Sequence, residues 1–291
     1  MDQKRPIDAS GAAALVGIAL LLAFNQVVIK VTGSGLSPVF QAGLRSALAC
    51  VFLLGWMKAF AKPLHMPRAA LWGGVFTGVL FTVEFICIFT ALDQTTVSRS
   101  SILFYSMPVW LTLAGHVLLP GERLSRGKVL GLVLAMGGIV VSFAHRDGGQ
   151  ASLVGDLLAL TAAVCWAGIA LVVRMTALSR TTPEMQLLSQ LVVSAPLLLL
   201  VAPLFGDLIR AFQPIHLASL AFQAFGVACL GFLAWFRLLA TYQASGVASF
   251  SFLTPVLAVV LGWLLLGEQI VLQTWIALAL VAAGIYLINR S

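Results

Sequence analysis

The stretch "FLTPVLAVVLGWLLLGE", residues 252–268, is apolar almost throughout, yet it carries a proline and closes on a Gly-Glu pair. Upstream, "SMPVWLTLAGHVLLPGE", residues 106–122, has nearly the same layout. Proline has no backbone N–H and its ring clashes with the preceding turn. Two prolines in equivalent places therefore imply a repeated plan. Laying residues 118–141 over 264–287 without gaps gives 8 identities in 24 positions. Leucine matches are cheap in apolar segments. Gly121-Glu122 against Gly267-Glu268, and Gly138-Ile139 against Gly284-Ile285, are more informative, and Pro108 and Pro255 come into register with one inserted residue.

The repeat sits in a chain of 291 residues that is 60% hydrophobic and 9% charged. A soluble domain of that length has no core large enough to hide so much apolar surface, so the solvent is lipid. About 20 consecutive apolar residues cross a bilayer as a helix. Ten such spans are predicted, near 11–31, 38–58, 69–90, 97–119, 126–144, 152–174, 184–204, 216–240, 247–265 and 272–289. A membrane β-barrel would show short alternating segments instead. The first span follows Lys4 and Arg5 but is too long for a signal peptide and lacks a small-x-small cleavage site, so it is expected to be retained.

The expected fold is an all-α polytopic membrane protein. The matched spans are four with nine and five with ten, which divides the chain into two five-helix repeats, 1–145 and 146–291, joined at "HRDGGQ". Five is odd, so the second repeat enters the membrane from the opposite side. Inverted repeats of this kind are the layout of alternating-access transporters, with substrate held near the bilayer midplane at the repeat interface. Each proline, taken as lying within a continuous span, would free one carbonyl, of Phe104 and of Ser251. Lipid cannot satisfy such a group, so it is expected to face protein or a wet cavity.

A net charge of +7 does not point to nucleic acid, because the cations are sorted by side. One side would hold Lys4, Arg5, Lys58, Lys62, Arg68, Arg123, Arg126, Lys128, Arg174, Arg180, Arg237 and Arg290; the other would hold Lys30, Arg99, Arg146 and Arg210, with Arg45 inside a span. Twelve against four is a positive-inside bias that puts both termini in the cytoplasm. Cys50, Cys87, Cys165 and Cys229 all fall inside spans with no metal-ligand spacing, and read as small apolar fillers. No cofactor, metal or nucleic acid is expected. The expected partners are a small-molecule substrate and the lipid bilayer of the plasma (inner) membrane.

Several segments together carry a family resemblance: "FQAGLRSALA", "SILFYSMPVW" followed by "PGERLS" and "GLVLAMGGIVV", then "SFLTPVLAVVLGWLLLGE" and "AAGIYL". In order and helix count the chain resembles the drug/metabolite transporter superfamily, in particular its EamA-type exporters. The resemblance implies a ten-helix inverted-repeat fold around a central cavity that moves small metabolites outward. The first repeat departs from the family pattern in having Phe24-Asn25 where a Trp is usual; the second keeps "CWAGIA". "VEFICIF", Tyr105 before Pro108, Trp166 and "AWFRLLA" around Trp235 are similar to aromatic amino-acid exporters of the superfamily.

Candidate site residues follow from polarity inside the spans. Ser101, Tyr105, Pro108, Thr112 and His116 recur on one face of span four, and polar groups turn away from lipid. Tyr105 is a candidate substrate contact or an interhelical hydrogen bonder; His116 reads as packing. On span nine, Ser251, Pro255, Ala258 and Gly262 form a mostly small face, as do Gly74 and Gly78 on span three. Glu84 is the acid deepest in a span. Desolvation disfavours its charge unless a cation lies near, which makes it either a proton carrier or a fixed ion-pair partner of Lys30, Arg45 or Arg99. For an amino-acid substrate, Glu84 would meet the ammonium and one of those cations the carboxylate. Asn25, Trp166, Trp235, Trp110, Phe250 and Tyr242 are further candidates, the rings as faces for a flat substrate or as interfacial anchors. Glu122 and Glu268 read as helix-boundary features.

A transporter of small metabolites, with amino acids of aromatic preference foremost, is the leading expectation. Other metabolites or cationic drugs are the alternative within the same fold. An intramembrane enzyme would need a constellation such as HExxH or G-x-S-x-G, and neither occurs. A channel would show rings of charge or a repeated filter.

Overall fold

The computed structural model of the chain describes residues 7–119, 122, 124–144, 152–242, 247 and 250–290. The predicted junction at 145–150 lies outside these residues, as do Lys4, Arg5, Gly121, Arg123 and Arg146. Ten helical units cross the described structure: α1 (Ala9–Gly33), α2 (Pro38–Ala59), α3 (Arg68–Gln94), α4 (Val97–Phe104 continued by Met107–Leu118), α5 (Arg126–Ala144), α6 (Leu153–Met175), α7 (Pro183–Val201), α8 (Pro214–Thr241), α9 (Leu253–Leu266) and α10 (Leu272–Arg290). Nine of these units are long and apolar enough to span a membrane by themselves; the tenth, with its leading turn, covers Phe250–Leu266. An isolated antiparallel bridge pairs Leu36 with Ile209.

The helix starts follow local chemistry. The side chains of Asp8, Thr96, Ser152 and Thr182 accept a backbone N–H two or three residues on, and Pro38, Pro183 and Pro214 occupy first turns where no N–H is required. The repeated prolines obey the same rule, which corrects the expectation of a mid-helix carbonyl freed by each. α4 stops at Phe104, turns through Tyr105 and Ser106, and resumes at Met107, so Pro108 lies in the first turn of a renewed helix. α9 resumes at Leu253 after a 3₁₀ turn over Phe250–Phe252, and Pro255 is in its first turn. The break in α4 is satisfied locally: the Ser106 N–H and Oγ both donate to the Leu103 carbonyl, and Trp110 Nε1 donates to Ser106 Oγ at 3.1 Å.

The inverted repeat is visible where α5 crosses α10. A Cβ on Gly131 would lie 2.7 Å from the Gly284 carbonyl oxygen, and a Cβ on Gly138 2.7 Å from that of Ala277. In the repeat register Gly131 corresponds to Ala277 and Gly138 to Gly284. The contact Gly131–Gly284 is thus mirrored by the contact between their counterparts, Ala277–Gly138, the reciprocity that a two-fold relation imposes. Backbones this close need small residues, which explains why these glycines survive in the sequence match. Gly74 and Gly78 do the same for α3 against Ser189 and Val193 of α7.

The two ends of the bundle differ. At the end that carries the termini, contacts include Lys62 with Glu184 at 3.8 Å, Arg174 with Glu122 at 2.8 Å, and Tyr242 Oη donating to Asp8 at 2.8 Å. At the opposite, distal end the loops interlock. Ser37 N donates to the Leu208 carbonyl and Arg210 N to that of Gly35. The Arg210 guanidinium forks onto Asp93 at 2.7 and 3.0 Å and also reaches the Gly33 carbonyl. One helix breaks regularity along its length: α8 is a π-helix over Phe222–Gly231, whereas its repeat counterpart α3 is α-helical throughout.

Candidate functional site

A cavity of about 520 Å³ lies between the repeats, within the size range of small-molecule sites. Its wall runs from mid-helix towards the end carrying the termini. It takes in Leu15 to Ile29 on α1, Arg45 to Ala49 on α2, Phe81 to Phe89 on α3, Phe104 to Leu111 on α4, and Trp166 on α6. Leu187 and Leu191 on α7, Val227 to Trp235 on α8, Phe250, Ser251 and Thr254 by α9, and Asn289 on α10 complete it.

Arg45 is buried on α2 and Glu84 on α3, and no direct ion pair joins them. Arg45 lies instead over the Phe85 ring at 4.8 Å and near Phe89 at 5.8 Å, a cation–π arrangement. Arg45 Nε, Glu84 Oε2, Asn25 Oδ1 and Gln26 Oε1 are buried without a hydrogen-bond partner among the described residues. Orphaned buried polar atoms are costly, and with Ser46 Oγ five of them belong to residues lining one cavity. Gln26 Nε2 donates to Tyr105 Oη at 3.5 Å. Beside it the rings form a cluster: Phe104 stacks on Trp166 at 5.0 Å and 21°, and Tyr105 meets Trp166 edge-on at 6.0 Å.

The structure thus gathers Asn25, Arg45, Glu84, Tyr105, Pro108, Trp166, Trp235 and Ser251 on one cavity wall. It does not bring Ser101, Pro255, Lys30 or Arg99 there. Ser101 and Pro255 are buried between helices. Lys30 Nζ donates to the Leu92 and Thr95 carbonyls at 2.8 and 2.7 Å, satisfying the end of α3. Arg99 is committed to Asp156, with Nε at 3.2 and 3.1 Å from the two carboxylate oxygens. Of the three cations offered as partners of Glu84, only Arg45 shares its cavity. Gln26 was missed in the sequence, although its place beside Asn25 in an apolar helix was a signal. Of the other aromatic candidates Phe250 is on the wall, whereas Trp110 is held by Ser106 and Tyr242 by Asp8. His116 Nδ1 lies 3.1 Å from the Glu122 carbonyl oxygen, a packing contact.

Ten helices in two inverted repeats around a polar-studded cavity define a polytopic membrane transporter. The EamA-like transporter family matches the chain twice, over residues 9–144 and 153–290, and the chain belongs to that family. It is 33% identical over 282 residues to "Uncharacterized transporter YvbV" of Bacillus subtilis (strain 168), covering 93% of this chain and 91% of that one. It is 26% identical over 286 residues to a "Probable amino-acid metabolite efflux pump" of Escherichia coli (strain K12), covering 95% and 93%. A crystal structure 21% identical in sequence superposes with a TM-score of 0.66 over 96% of this chain and 97% of its own, which bears on the fold alone. The protein is a multi-pass protein of the inner (plasma) membrane, and its family sets it among transporters of metabolites.

Proposed function

We propose that this chain exports amino acids, with a preference for aromatic side chains, by alternating access. The observation that carries the reading is the buried pair Arg45 and Glu84: opposite charges on facing helices, not bonded to each other, on the wall of one cavity. A zwitterion supplies both missing partners, its carboxylate to the Arg45 guanidinium and its ammonium to Glu84 and the amide oxygens of Asn25 and Gln26. Arginine's planar fork suits a carboxylate. A flat side chain would lie among Phe104, Tyr105 and Trp166, where aromatic pairs gain about 0.5–1.5 kcal/mol beyond area burial. The name of the Escherichia coli relative, an amino-acid metabolite efflux pump, agrees with this substrate class.

Both termini face the cytoplasm in this reading, as the cation distribution predicts. The cavity then opens towards the cytoplasm, where an exporter loads. The halves 1–145 and 146–291 rock about it, driven by an ion gradient or by the substrate's own gradient, since no nucleotide-binding motif occurs in the sequence.

The test is saturable uptake of labelled tryptophan, phenylalanine and a non-aromatic amino acid into liposomes holding the purified protein, with and without a pH gradient. Saturable, selective aromatic uptake is expected. Equal uptake of all three overturns the aromatic preference, and uptake only of cationic compounds overturns the zwitterion.

A further inference from the structure

Three buried charged residues that the cavity does not use, Arg99, Asp156 and Glu268, converge on one short segment, the N-terminal part of α4. All eight residues of Val97–Phe104 are buried. Its entry is gripped by Glu268, which follows Gly267 at the end of α9. Gly267 has φ of 65°, a left-handed conformation that turns the chain back towards α4. The Glu268 carboxylate accepts from Val97 N, from Ser98 N at 3.0 Å and from Ser98 Oγ at 2.6 Å, at 4% exposure. At the next residue, Arg99 holds Asp156 in the first turn of α6 through Nε and Nη2, and Nη2 also donates to the Ser142 carbonyl. Thr95 Oγ1 completes the Asp156 site at 3.1 Å.

Glu268 and Asp156 both belong to the second half of the chain, and the segment they hold belongs to the first. Its inner end is Phe104, stacked on Trp166 at the cavity wall, followed by the Tyr105–Ser106 break. We propose that Glu268 and Asp156 are the latch of the distal end: they hold Val97–Phe104 as a plug over the cavity, and the plug opens by hinging at Tyr105–Ser106.

The chemistry suits a latch better than a permanent weld. A fully apolar contact would cost free energy in proportion to the area wetted on opening. Buried ion pairs behave differently, because desolvation offsets much of their Coulomb gain. When the plug swings out, water restores the hydration of Glu268, Asp156 and Arg99. Closed and open states then lie close in free energy, as a two-state element requires. Removing one charge breaks that balance, because a buried Arg99 left without Asp156 is far worse than the intact pair.

The experiment uses Ser101→Cys, a near-isosteric reporter buried within the plug, in the full chain with its four native cysteines, reconstituted in liposomes. A membrane-impermeant maleimide is applied separately to each face, and labelling is read above that of the parent protein. Adding Asp156→Asn or Glu268→Gln is expected to raise labelling from the distal face about tenfold or more, with no matching rise from the face carrying the termini. Ser98→Ala removes one donor to Glu268 while leaving every charge in place, and should give a smaller rise in the same direction if the charge variants fail to fold. Unchanged distal labelling in folded variants, or an equal rise from both faces, overturns the latch. No substrate enters this assay, so its outcome is independent of whether amino acids are the cargo.

Discussion

Replacing Arg45 by Gln tests the zwitterion directly. Glutamine keeps hydrogen-bonding capacity but removes the charge and the fork. A hydrogen bond to a charged group contributes roughly 1.5–3 kcal/mol net, and each 1.4 kcal/mol or so is tenfold in affinity. Tryptophan should therefore bind about 10- to 150-fold more weakly to Arg45→Gln, and Arg45→Lys should fall between the two, since it keeps the charge without the planar geometry. Arg45 is buried over Phe85, so its loss also removes packing and leaves Glu84 without a neighbouring cation. A ligand control separates these effects. Tryptamine has the ring and the ammonium but no carboxylate, so its affinity should not fall with Arg45→Gln. The assay is equilibrium binding of labelled tryptophan and tryptamine to purified protein in nanodiscs, with a thermal melt of each variant. Parallel losses for the two ligands would refute the reasoning, because Arg45 would then act on the shape of the cavity and not on the carboxylate.

Glu84→Gln should show the mirror pattern: tryptophan weakens by a similar factor while indole-3-propionate, which lacks the ammonium, does not. Trp166→Ala removes the ring stacked on Phe104 and should weaken tryptophan by about 2- to 12-fold, from the ~0.5–1.5 kcal/mol of an aromatic pair, with a smaller effect on a non-aromatic amino acid in the same binding assay. Gly284→Val places a side chain against the Gly131 carbonyl and the Ala135 backbone, neither of which yields easily, so a cost of about 1–3 kcal/mol and a lower melting temperature in detergent are expected. Asp8, outside the membrane at the start of α1, is held below the ordinary carboxylate range by the Gly11 N–H and then by Tyr242 Oη. Its folded value is depressed, so the stabilisation is full at neutral pH and is lost as the pH falls below the ordinary aspartate range towards the depressed one. Asp8→Asn should flatten that acid limb of a melting-temperature profile.

Much of the architecture was legible in the sequence, because the features that encode it are local. Span lengths follow from runs of apolar residues, and the observed helices α1–α10 start and stop within a few residues of the predicted ones. The repeat showed itself through Gly138 and Gly284, where α5 and α10 touch backbone to backbone and a side chain would have to displace its neighbours. The positions of Pro108 and Pro255 marked the two helix breaks, although not that the helix would end before each proline and restart around it.

Which charge does what was decided only in three dimensions. Lys30, Arg45 and Arg99 look alike in the sequence, each a cation in or beside an apolar run. Tertiary structure sends Lys30 to the end of α3, Arg99 to Asp156, and Arg45 alone to the cavity with Glu84. Glu268 reads as a boundary residue, yet it caps a helix 171 positions away. The physical reason is that lipid and protein interior are almost equally apolar. A membrane helix can be hydrophobic all round, so its sequence fixes where it crosses but leaves its rotation, and hence the partners of its few polar groups, to the packing of the whole bundle.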